Sequence, residues 1–123
     1  MEYKRSESFR HELQTPVDIR YSCIVNQIAF TRVGKILDIS PSGVSILVKD
    51  ELTEEELYND LTFSFCLHTK EIQTGGIVRW KKYHNDGFRY GVELQTTEQI
   101  EKLIIEELKL RRKQEVLEMK KNG

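Results

Sequence analysis

The sequence predicts a mainly β domain, a barrel or sandwich of about six short strands, followed by a C-terminal helix. Three observations carry this. Turn signals recur at roughly ten-residue spacing through the middle of the chain. The segments between them are rich in β-branched and aromatic residues, and several alternate apolar with polar. From residue 98 to 121 there is neither Gly nor Pro, and the apolar residues fall at helical spacing.

In order along the chain, residues 1–13 read as a flexible, charged arm with Phe9 and Leu13 as its only anchors. Residues 14–96 hold the β structure. Val17, Ile19, Tyr21 and Cys23 alternate with Asp18, Arg20 and Ser22, the pattern of a half-buried strand. Two further strands, residues 33–37 and 44–48, flank Asp38-Ile39-Ser40-Pro41-Ser42-Gly43. Residues 51–60 are acidic, and Thr53 either caps a single helical turn or begins a solvated loop. Residues 61–67 alternate again, residues 72–80 form a strand whose Gly75-Gly76 pair suggests a bulge or bend, and Asn85-Asp86-Gly87 is a hairpin signal leading into residues 88–94. Residues 97–123 are the helix. Ile100, Leu103, Ile104 and Leu108 should pack on the β structure, while beyond Leu110 the apolar stripe thins and that half should project, fray or meet a partner.

The segment 38–43 is the most informative. Asp38 and Ser40 sit two apart in an extended stretch, so their side chains should emerge on one face. Gly43 lets the backbone reverse or approach a bound group closely. A carboxylate, a hydroxyl and a bare backbone at one strand end point to a small polar ligand, although Asp and Ser in such a place also cap turns.

Composition bounds the rest. Nineteen basic and twenty acidic residues leave a formal charge of −1, so no global field draws nucleic acid or membrane. Cys23 and Cys66 are expected as reduced core residues, and they lack zinc-site spacing, as do His11, His68 and His84. With no apolar leader and no stretch of spanning length, the chain is expected in the cytoplasm without membrane insertion. No nucleophile elbow, phosphate loop or metal cluster is present, which argues against an enzyme. No cofactor is expected.

On Asp38-x-Ser40-x-x-Gly43, with Ser8-Phe9-Arg10 upstream, Gly76-Ile77-Val78-Arg79-Trp80 and Tyr90-Gly91-Val92-Glu93-Leu94 downstream, the chain resembles the PilZ family of bacterial second-messenger receptors over residues 4–95. The resemblance implies a six-stranded antiparallel β-barrel with a C-terminal helix that binds cyclic di-GMP. It implies Arg5 and Arg10 on the arm, with Asp38, Ser40 and Gly43 on the barrel, as the ligand-binding residues. Guanidinium forks suit both phosphate and the guanine edge. The family's arm carries Arg-x-x-x-Arg. Here residue 6 is serine and Arg5 stands one place earlier, an added residue that a kink in a flexible arm can absorb. The implied protein partner is a motility, envelope or signalling component. The alternative is a degenerate module that binds protein without nucleotide. A nucleic-acid-binding barrel using Phe63, Phe65, Trp80 and Tyr83 ranks last, because the two Phe alternate as core positions do.

Overall fold

The computed structural model describes residues 11–122, of which the side chains are described to residue 120. The arm residues Arg5 and Arg10 therefore lie outside the described residues. The described residues form six strands: β1 (His11–Val25), β2 (Ile28–Ser40), β3 (Gly43–Val48), β4 (Leu61–Cys66), β5 (Glu71–His84) and β6 (Gly87–Gln95). They close into a barrel in the order β1-β2-β3-β6-β5-β4, each neighbour antiparallel. A one-turn helix α1 (Glu54–Tyr58) bridges β3 and β4, and α2 (Glu98–Asn122) follows β6. Closure removes free sheet edges wherever the ladder is complete.

The alternation read from the sequence is the packing pattern. Ile19, Tyr21, Ile36, Ile46, Phe63, Phe65, Ile72 and Tyr90 fill the interior, joined by Ile104 and Leu108 of α2. Phe63 and Phe65 are thereby core residues, not a stacking surface. Buried Tyr21 has its phenol pKa pushed up to about 12, first by desolvation and then by the Glu56 carboxylate.

Several expectations are corrected. β1 begins at His11, with His11 opposite Ile39 and Glu12 opposite Asp38, so residues 11–13 are strand, not arm. Cys66 is exposed while Cys23 is buried, because in β4 the inward set is Leu61, Phe63 and Phe65 and Cys66 falls on the other phase. The Gly75-Gly76 pair makes no bulge: both pair continuously with Thr62 and Leu61, and the irregularity lies between Val78 and Trp80. Gly76 is small for a packing reason. A Cβ there would stand 2.8 Å from both Phe63 and Val92.

The acidic 51–60 segment does form a helix. Thr53 accepts from the Glu56 N–H while Glu56 accepts from the Thr53 N–H, a capping box. Glu107, unforeseen, anchors α2: its buried Oε1 accepts the backbone N–H groups of His68, Thr69 and Lys70 at 3.0, 2.9 and 2.9 Å. The distal half of α2 carries exposed Leu110, Val116, Leu117 and Met119. Even so, Arg111 holds it to the barrel by donating to the Leu67 and Thr15 carbonyls.

Candidate functional site

The site is built by a register shift. Ile36 opposes Ile46, yet Asp38 opposes Ser45 and Ile39 opposes Val44, so β2 has one extra residue at Leu37. Without it, Asp38 would share the inward phase of Ile36. The bulge turns Asp38 outward and returns Ile39 to the core. Asp38 and Ser40 then share the outer face, as expected from their spacing.

Cross-strand register extends this into a row. Asp38 on β2 opposes Ser45 on β3, which opposes Gly91 on β6, which opposes Trp80 on β5. Asp38 Oδ2 accepts from Ser45 Oγ and from Arg89 Nη2, each at 2.7 Å. The same Nη2 reaches Ser45 Oγ at 3.0 Å. The Asp38 carboxylate is largely buried beneath this fork, a charge-assisted arrangement in a region of reduced dielectric. The indole of Trp80 lies on Gly91, where an added Cβ would come within 2.0 Å of its ring atoms. Gly91 is thus the seat of a rim tryptophan that remains 40% exposed.

Beside this row opens a cleft of about 700 Å³, lined among others by Ser40, Ser42, Gly43, Trp80, Gly91 and Glu101. Ser40 is buried and donates to the Gly43 carbonyl at 3.3 Å, closing the Pro41-Ser42 turn, so its hydroxyl serves the turn. No glycine among the described residues has a positive φ. Gly43 therefore contributes a wall without a side chain, not a left-handed reversal. Arg79 and Glu93, both half-exposed, pair at 2.6 Å on the cleft lining.

Of the five expected site residues, the structure brings Asp38, Ser40 and Gly43 to one corner of the barrel, although Asp38 does not itself line the cleft. Sequence reasoning missed Arg89 and Ser45. The signal was there in the alternation: Arg89, Gly91 and Glu93 are out of phase with buried Tyr90, Val92 and Leu94. Among the described residues no group of three or more His, Cys, Asp or Glu is placed to hold a metal ion, and no helix is long and apolar enough to cross a membrane.

Fold and site together define the class: a small closed antiparallel barrel with a polar corner and a cleft on its outer wall. The chain matches the model of the PilZ domain over residues 4–110, and it belongs to that family. A protein of Aquifex aeolicus described as uncharacterized is 37% identical over 67 residues, 52% of this chain and 32% of that protein. Among solved structures, the PilZ domain of YcgR from Escherichia coli with c-di-GMP superposes with a TM-score of 0.65 at 12% identity, covering 88% of this chain and 94% of that one. The Bacillus subtilis inhibitor of motility, MotI/DgrA, gives 0.63 at 15% identity, covering 85% of this chain and 49% of that one. The complex of MrkH from K. pneumonia with c-di-GMP gives 0.59 at 15% identity, covering 86% and 53%. These superpositions show a shared fold. The chain spans about a third of the Aquifex protein and about half of the Bacillus one.

Proposed function

We propose that this chain is a non-enzymatic receptor for cyclic di-GMP that passes its signal to a protein partner. Arg5 and Arg10 of the arm clamp phosphate and guanine, Asp38 takes guanine N–H donors or steers an arginine, Ser40 shapes the turn, and Gly43 admits the ligand closely. The observation that carries the reading is the outward-turned Asp38 beside a cleft walled by Ser40, Gly43 and Trp80. β1 pairs Glu12 with Asp38, so the chain immediately after Arg10 already runs alongside the acid. Membership of the PilZ family and structural likeness to two c-di-GMP complexes support the ligand's identity.

One observation favours the alternative, a nucleotide-free adaptor: Asp38 already accepts from Arg89 and Ser45. Titration calorimetry with c-di-GMP separates the two. A receptor binds with a Kd of about 1 μM or tighter. Arg10→Ala or Asp38→Ala should then weaken binding by about tenfold or more, while Lys113→Ala on α2 leaves it unchanged. No heat at high ligand concentration would leave the adaptor reading standing.

A further inference from the structure

The barrel is closed, but its first hairpin outruns it. The β1–β2 register continues to Val25 opposite Ile28, whereas β1 meets β4 only over Ile19–Ser22 and β2 meets β3 only from Lys35 onward. Among the described residues, 28–33 therefore have a sheet neighbour on one side alone. The hairpin turns through Asn26 and Gln27 at φ 51° and 68°, the two left-handed residues of a type I′ loop. In such a hairpin the pair flanking the loop exchanges both backbone bonds and the pattern then alternates. Ile28, Phe30 and Arg32 thus address β1, and the N–H and C=O groups of Ala29, Thr31 and Val33 point away from it. Among the described residues no backbone bond from a loop reaches those three.

This edge lacks the usual protections against pairing. Residues 28–33 contain no Pro, no Lys and no register shift. Their one charge, Arg32, is drawn to Glu56 at 2.7 Å. The apolar side chains stand in solvent instead, with Ile28 58%, Phe30 40% and Val33 60% exposed. Arg32 opposes buried Tyr21, so Ile28, Phe30 and Arg32 share one face, and α1 meets that face through Glu56. Exposed Glu54 and Glu55 precede Glu56 on α1, and exposed Asp60 lies just beyond the helix.

We propose that this edge of β2 docks an extended segment of another protein, apolar at alternate positions and basic beside α1, which adds to the sheet as a further strand. Backbone bonds to Ala29, Thr31 and Val33 supply the pairing, and alternate side chains meet Ile28 and Phe30. The exposed carboxylates of Glu54 and Glu55 select the basic partner. They also disfavour a second copy of this chain, because two-fold pairing of the edges would set both acidic α1 helices on the same side of the joined sheet. The proposal does not depend on nucleotide binding, since none of residues 28–33 lines the cleft.

The test is amide exchange on the full chain, with a synthetic peptide alternating Val with Lys and Thr. Exchange at Ala29, Thr31 and Val33 should slow by about tenfold at saturating peptide. A peptide N-methylated on every residue, which leaves neither strand edge able to donate, should give no protection, and one with Glu for Lys should bind at least about fivefold more weakly. Thr31→Pro deletes an outward N–H without touching the β1 ladder, so it should abolish protection while the melting temperature stays within a few degrees. Equal protection by the N-methylated peptide, equal binding of the Glu peptide, or no slowing at about 1 mM peptide would overturn the proposal. So would a dimer in sedimentation that Thr31→Pro dissolves, since that makes the occupant a second copy.

Discussion

Arg89 and Asp38, 51 positions apart, meet at 2.7 Å on the outer wall of the barrel, and Ser45 donates to the same carboxylate oxygen. The contact exists because β2 carries an extra residue at Leu37 while β6 keeps strict alternation. A double-mutant cycle on Arg89→Ala and Asp38→Ala should return a coupling of about 1–3 kcal/mol in denaturant unfolding, since removing either partner strands the other in a largely desolvated place. A coupling below about 0.5 kcal/mol would mean solvent screens the pair.

Gly91→Ala places a methyl within 2.0 Å of the Trp80 indole. The expected cost is about 1–3 kcal/mol from forced displacement of the ring. Trp80 is the one tryptophan in the chain, so intrinsic fluorescence reads its movement directly. The emission should shift to the red in Gly91→Ala, and Trp80→Ala combined with Gly91→Ala should recover most of the stability. An unshifted spectrum would show that the ring does not rest there.

Glu107 gives a pH signature. Burial raises its pKa, but the three backbone N–H donors and His68 outweigh that, and the carboxyl titrates below its usual 4.5. A carboxylate depressed in the folded state contributes stability above the unfolded pKa and loses it as pH falls through the folded one. The wild type should therefore exceed Glu107→Gln by about 1–2 kcal/mol at neutral pH, with the gap shrinking as pH drops below 4.5. Denaturant midpoints at neutral and acid pH measure it, and a gap independent of pH would refute the charge's role.

Thr53→Ala removes one half of the capping box on α1. The loss should be about 1 kcal/mol, and it should loosen Glu56, which also holds Arg32. Faster amide exchange at Glu56 and Leu57 is the expected readout. Unchanged exchange there would assign α1's order to the packing of Leu57 alone.

Much of the architecture was legible in the chain itself. Alternation in residues 17–23, 61–67 and 88–94 marks strands with one buried face, and the change of period after Thr97 marks α2. These signals are local, and burial of one face enforces them. The corner formed by Asp38, Ser40 and Gly43 was legible for the same reason, since side chains two apart share a face. Cys66 misled because its apolar character outweighed its place in the 61–67 alternation, out of phase with Leu61, Phe63 and Phe65, and Gly75-Gly76 misled because bulge position depends on the partner strand. The type I′ turn at Asn26-Gln27 passed unnoticed because neither residue is glycine.

By itself, then, the sequence determined the strand-rich barrel, its closing helix, the polar corner and membership of a family. Only the tertiary structure decided which residues face that corner across strands. The register of β2 on β3 and of β3 on β6 turned Asp38 outward, brought Arg89 and Ser45 to it, and seated Trp80 on Gly91. The lengths of the ladders left one edge of β2 open. Register is a property of pairs of strands, set by which hydrophobic faces bury together, and no single segment carries it.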